Sequence, residues 1–329
     1  MNEFNSVFRD EIKIHLSVRE AELSHEAYRH YRRTVILFDD YLCKIQHTDK
    51  EIPESVVESW IKEVSVGISL NTSSQYIHHV RQLLLFLVNS GYKCFLPRTL
   101  ITHDTYVPYL YSDEDIEKIF EVADSLVVTR AAKNKYVEKE MPLLLRLLYC
   151  CGLRVGETVS IKVGDLDFDR DLIILRVTKK YKQRLVPFGK DLAEILYRYC
   201  VGMGILNDSE AYLFPGEDTH SHISANNVGN YYRIIRKKAG IDSHCQIKNG
   251  RGACLHCFRH TFAVRSFDKN ERNGIKASES VPFLSTYLGH DSLYETEKYL
   301  KFSGNYFEDT LTKFNDYAGE LFPEVIIYE

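Results

Sequence analysis

Apolar residues recur every three or four positions in two stretches of the first hundred residues: Tyr31, Val35, Phe38 and Leu42, then Ile77, Val80, Leu84 and Leu87. One apolar stripe per helical turn predicts amphipathic helices, and so a small helical domain over residues 1–105. The second helix is expected to open at Asn71-Thr72-Ser73-Ser74, side chains suited to capping. Its remaining positions carry Gln75, His78, His79, Arg81 and Gln82. Gly91 and Pro97 stop the pattern, and a linker runs to Pro108, so a second domain, 106–329, begins near Tyr109. Ser112-Asp113-Glu114-Asp115 reads as a helix start with acids at the positive end of the dipole. More helix follows from Pro142 to Cys151. From Asp165 to Val177 the pattern alternates, turns through Lys179 to Gln183 and resumes in Arg184-Leu185-Val186-Pro187, which predicts short antiparallel strands. Helices return from Ala225. The fold class is therefore mainly α with a small antiparallel β-sheet, the second domain being mixed α+β.

With 329 residues, 44% of them hydrophobic, two cores can be filled. A net charge of -4 is that of an ordinary globular protein and by itself argues against a polyanionic partner. The distribution changes that picture. Gly229 to Lys276 holds eleven Lys or Arg against three acids, whereas Glu279 to Glu329 holds ten acids against three Lys. Screening limits each charge's reach to about 10 Å, so the local basic stretch can face phosphates whatever the total. No window has the 18 or so uninterrupted apolar residues of a membrane span, and the first residues lack an export signal. A cytoplasmic location and no membrane partner are expected. The eight cysteines are scattered and expected to be free thiols.

Two constellations suggest metals. Asp165, Asp167, Asp169 and Asp171 alternate as in a calcium loop, but Arg170 stands where that loop needs Gly and Arg176 where it needs Glu. A strand or turn is the better reading. His244, Cys245, Cys254, His256 and Cys257 offer zinc chemistry, although only Cys254 with His256 or Cys257 forms a tight pair. Thiols near a loop are the alternative, and no metal site is assigned.

A series of separated motifs carries more information: Cys151-Gly152-Leu153-Arg154-Val155-Gly156-Glu157, Thr178-Lys179-Lys180, His256-Cys257-Phe258-Arg259-His260-Thr261-Phe262-Ala263, and Leu288-Gly289-His290 followed nine residues on by Tyr299. In order and spacing they resemble the signature of the tyrosine recombinase and integrase family, which includes phage integrases and the Xer and Cre recombinases. That pattern is Arg, a hairpin Lys, His-x-x-Arg, Leu-Gly-His and Tyr. The resemblance covers the second domain and implies a tyrosine recombinase catalytic domain. The first domain is similar in size and character to the family's helical, SAM-like core-binding domain, and no room remains for a separate arm-binding domain.

The resemblance implies a site-specific recombinase that cuts and rejoins DNA through a 3'-phosphotyrosine, expected to serve a mobile element. Two planar guanidiniums suit a phosphorane-like transition state, so Arg154 and Arg259 are assigned to the phosphate, with Glu157 supporting Arg154. Tyr299 is the nucleophile, and a phenol of pKa about 10 needs help to ionise. Lys179 is the implied general acid, with Lys180 its adjacent competitor. His256 and His290 are placed at the phosphate, and His260 is expected to brace its helix. Ser73, Gln75, His79, Arg81, Lys180 and Lys182 are further candidates for DNA contact, the first four on a helix face that could equally be a solvated one. Since the phosphotyrosine conserves the bond energy, no ATP or other cofactor is expected.

Apolar Phe307, Leu311, Phe314, Tyr317 and Leu321 at helical spacing predict a C-terminal helix over 305–322. By resemblance it docks on a neighbouring subunit and builds a homotetramer on two double-stranded recombination sites at the nucleoid. Packing on its own domain is the alternative. A type IB topoisomerase and a catalytically inactive accessory DNA-binding protein are the competing functions.

Overall fold

A computed structural model of the chain describes residues 4–99, 107–127, 136–176, 183–241 and 252–302. The chain divides into two compact units, Met1–Thr105 and Tyr106–Glu329. The mainly helical fold with a small antiparallel sheet is what the structure shows.

The first unit contains α1 (Arg9–Glu22), α2 (His25–Lys44), α3 (Glu54–Val64) and α4 (Leu70–Asn89). Two-residue strands β1 (Glu51–Ile52) and β2 (Lys93–Cys94) pair in parallel beside them. The predicted stripes are the core: Val35, Phe38, Leu42, Val80, Leu84 and Leu87 are buried around Trp60, whose ring meets Phe38 edge-on. Buried Asp39 receives the backbone N–H of Asn5 at 2.9 Å, tying the chain's start to α2.

The expected opening of α4 needs correction. Its cap is Ser69, whose hydroxyl accepts from Thr72 N–H at 3.2 Å, so Asn71 and Thr72 already lie in the first turn. That phase turns Ser73 into the interior, where it is 4% exposed, and away from any DNA-facing surface. His79 is likewise engaged inside the unit. Its Nδ1 lies 3.1 Å from Thr34 Oγ1, and burial, with His78, His30 and Arg19 adding to it, lowers its pKa to about 4. Arg81 donates to the Pro97 carbonyl at 2.7 Å, and Gln75 is exposed. Lys180 and Lys182 lie outside the described residues.

The second unit begins with α5 (Asp113–Asp124), capped by Ser112 and Asp115 through reciprocal bonds of 3.0 and 3.2 Å. After α6 (Val137–Cys151) and the short α7 (Val155–Val159) come three strands, β3 (Leu166–Asp167), β4 (Leu172–Leu175) and β5 (Arg184–Pro187), in antiparallel order. What reads as one alternating stretch is thus two strands joined by a turn. Asp167 closes it by accepting from Arg170 N–H at 3.0 Å, and Asp171 takes the left-handed conformation at φ 54°. Asp165 pairs with Arg176 at 2.6 Å. The alternating carboxylates hold a turn and an arginine, as the failed calcium spacing suggested.

Four helices follow: α8 (Lys190–Met203), α9 (Ala225–Lys238), α10 (His256–Arg272) and α11 (Ala277–Leu288). The five-residue α12 (Leu293–Glu297) runs into a 3-10 turn, Lys298–Phe302. Helix α6 is the central member, with Leu143, Leu144, Leu145, Leu147 and Leu148 all buried. Lys139, Pro142, Arg146 and Cys150 form a narrow open stripe, and most of the rest of the helix is covered, as its run of leucines requires. The predicted helix over 305–322 lies outside the described residues.

Candidate active site

Gly152 ends α6 with φ 59°, and a Cβ built there would collide with the Phe262 ring. Only glycine meets both demands, and the turn delivers Arg154 to the start of α7. Glu157, one turn on and 4% exposed at its side chain, accepts from Arg154 N–H at 3.0 Å and from its Nη1 at 2.8 Å. Gly289, at φ 64°, ends α11 in the same way, so the Leu288 and Gly289 carbonyls are left without helical donors. Both arginines converge on them. Arg259 Nη2 donates to Leu288 O at 2.6 Å, and Arg154 Nη2 donates to Gly289 O at 3.2 Å. The second Arg259 nitrogen, Nη1, donates to Gly152 O at 2.9 Å. Helix ends from three sequence-distant motifs thereby fix two guanidiniums side by side.

Burial first, then the charge of Arg154, lowers the Arg259 pKa to about 10. Two crowded cations, one of them buried, are a receptor for an anion. Burial alone would raise the Glu157 pKa, but hydrogen bonds from Arg184 and Arg154 bring it to about 2, so the carboxylate is ionised throughout the working range.

Tyr299 sits in the 3-10 turn, 7% exposed. Burial raises its pKa, while the charges of Arg259 and Arg154 pull it back. Its oxygen lies 3.1 Å from His260 Nδ1, and the His256 and His260 rings meet edge-on with centroids 4.5 Å apart. The His290 ring stacks 6.1 Å from the Tyr299 ring, and His290 Nδ1 is 2.6 Å from Thr296 Oγ1. Burial, then the neighbouring arginines, lowers the His290 pKa to about 3, and burial together with His256 does the same for His260.

The structure thus brings Arg154, Glu157, Arg259, His260, His290 and Tyr299 together, with His256 exposed beside His260. Lys179 lies outside the described residues. His260, expected only to brace α10, contacts the tyrosine oxygen itself. Two partners carried no sequence signal strong enough to single them out: Arg184, which binds Glu157, and Thr296, which orients His290. By sequence Arg184 is merely the first residue of a strand.

Among the described residues no three His, Cys, Asp or Glu side chains are placed to hold a metal. Cys254 Sγ and Cys257 Sγ are 3.4 Å apart, whereas His244 and Cys245 lie outside the described residues. Nor is any described helix long and apolar enough to cross a membrane.

Residues 110–304 match the profile of the phage integrase family. The chain belongs to that family. Among characterised relatives, this integrase-family chain is 29% identical over 269 residues to a tyrosine recombinase of Pseudothermotoga lettingae, a match covering 79% of this chain and 82% of that protein. It is 26% identical over 209 residues to tyrosine recombinase XerA of Pyrococcus horikoshii, covering 63% of this chain and 61% of XerA, so the chain spans less than two thirds of that relative's length. Its fold is similar to that of the XerH site-specific recombinase bound to palindromic difH substrate in a post-cleavage complex. The TM-score is 0.66 at 19% identity, over 87% of this chain and 79% of XerH. At that identity the likeness is one of fold.

Proposed function

We propose that the chain is a site-specific recombinase that cuts and rejoins double-stranded DNA through a 3'-phosphotyrosine on Tyr299. The observation that carries this reading is the meeting of two fixed guanidiniums with a tyrosine oxygen held by an imidazole, drawn from four separated segments. A scissile phosphate between Arg154 and Arg259 neutralises their repulsion, and the second negative charge gained in the transition state strengthens the same contacts, which is where rate acceleration comes from. The raised pKa keeps Tyr299 protonated at neutral pH, so its proton must leave during attack. His260 Nδ1 is in hydrogen-bond reach, and its depressed pKa leaves that ring neutral and able to accept. His290 is oriented by Thr296 as a second hydrogen-bonding group at the phosphate. Lys179 is assigned to protonate the leaving 5' oxygen. Because the phosphotyrosine keeps the energy of the broken bond, rejoining requires neither ATP nor another cofactor.

The N-terminal unit is assigned as the core-binding domain, with Gln75 on its open face, and the C-terminal helix as the link between protomers of a tetramer on two sites. The protein is placed in the cytoplasm, at the nucleoid, and in the service of a mobile element.

The test begins with duplexes recovered from a randomised pool by repeated binding selection. Wild type incubated with nicked selected duplex in EDTA, without ATP, should give a covalent band on a denaturing gel, and Tyr299→Phe should give none. Absence of the band on DNA that the protein binds would leave an accessory DNA-binding protein. Exchange between two sites separates recombinase from topoisomerase. Selected sequences that recur at the ends of a movable segment support the mobile element, and a single chromosomal copy opposes it.

A further inference from the structure

Arg184 opens β5, and its side chain is only 10% exposed. A buried cation needs close anionic company, and among the described residues Glu157 supplies it to Arg184. Its Nη1 donates to Glu157 Oε1 at 2.9 Å and its Nη2 to Glu157 Oε2 at 2.8 Å, a fork that meets both carboxylate oxygens. The guanidinium also lies against Gly289, where an added Cβ would be 3.0 Å from Nη1 and 3.4 Å from Cζ. Arg184 therefore touches both residues that hold Arg154: Glu157, through its carboxylate, and Gly289, on the side of its α-carbon.

We propose that Arg184 is a positioning residue for the cleavage reaction: it clamps Glu157 and braces the Gly289 turn, and through them sets the direction of the Arg154 guanidinium. This deepens the recombinase reading and rests on it. Its two terminal nitrogens each donate to Glu157, so the role proposed for Arg184 is exerted through that carboxylate. Without Arg184, Glu157 keeps one cationic partner in place of two and can pull Arg154 toward itself. The wall against Gly289 is lost at the same time. A bidentate fork is beyond lysine, so Arg184→Lys should restore charge without geometry.

The experiment compares wild type, Arg184→Met and Arg184→Lys on the selected nicked duplex, measuring DNA affinity by gel shift and single-turnover formation of the covalent complex. The same duplex with a methylphosphonate at the scissile position is run alongside. That substituent removes the negative charge that Arg154 is there to balance. Arg184→Met should bind DNA with affinity close to wild type and cleave the phosphate substrate roughly 10- to 100-fold more slowly, the range for losing a charge-assisted contact. On the methylphosphonate its deficit against wild type should shrink several-fold. Arg184→Lys should fall between the two, and it carries the test if the Met protein fails to fold. An equal deficit on both substrates, or a defect confined to DNA affinity, overturns the proposal. Failure of wild type to form any covalent complex would instead overturn the recombinase reading, so the two failures are distinct.

Discussion

Replacing Arg259 with Met tests whether this arginine is kept for chemistry at the expense of stability. The side chain is 1% exposed, and burial lowers its pKa well below the ordinary guanidinium value, to about 10. At 1.36 kcal/mol for each pKa unit, the DNA-free protein holds Arg259 charged against a penalty of roughly 3 kcal/mol. Met has a similar length and no charge, so the substitution relieves that penalty. It also removes the donor to Gly152 O, and Leu288 O keeps only Arg154 Nη1 at 3.4 Å. Stripping buried carbonyls of donors costs about 1–3 kcal/mol. The two effects nearly cancel. Urea denaturation of Arg259→Met should therefore give a stability within about 2 kcal/mol of wild type, a small change for removing so large a buried polar group. Covalent-complex formation should nonetheless drop by at least about 100-fold, as for loss of a preorganised transition-state donor. A loss of stability beyond about 4 kcal/mol would refute the reasoning, because Arg259 would then be a structural residue. So would cleavage near the wild-type rate.

Tyr299→Phe should abolish the covalent complex and, since it removes one hydrogen bond to His260, lower stability by only about 1 kcal/mol in the same denaturation assay. Gly152→Ala should destabilise by about 2–5 kcal/mol, adding left-handed strain to a clash with Phe262, and a melting midpoint unchanged from wild type would contradict it. His15 and His79 have folded pKa values of about 4, burial being the main cause, and His260 and His290 of about 3. Between these values and 6.5 the unfolded chain binds more protons, so stability is complete above pH 6.5 and declines toward pH 4. Urea midpoints that stay level across that range would rule this out, and His79→Gln should flatten the slope.

The site was legible because its chemistry demands particular residue types in a fixed order. Arg154, Arg259, His290 and Tyr299 each stand in a motif, and glycines at 152 and 289 mark the helix ends that present them. The helical first unit was legible because two apolar stripes at helical spacing have one economical use, a shared core. The boundaries were less so. Ser69 rather than Asn71 caps α4 because several adjacent residues can cap, and packing picks the phase that buries Ser73. The stretch from Asp165 to Val177 alternates whether it is one strand or two, and the left-handed turn at Asp171 decides for two.

Taken alone, the sequence determined the family motifs and the periodic cores, since both follow from residue type and local spacing. Tertiary structure alone decided that His260 touches Tyr299 and that Arg184 grips Glu157. Those pairs lie 39 and 27 residues apart, and neither has a local pattern to announce it. Such contacts exist only where helix ends and a strand meet in space, because hydrogen bonds are short and directional.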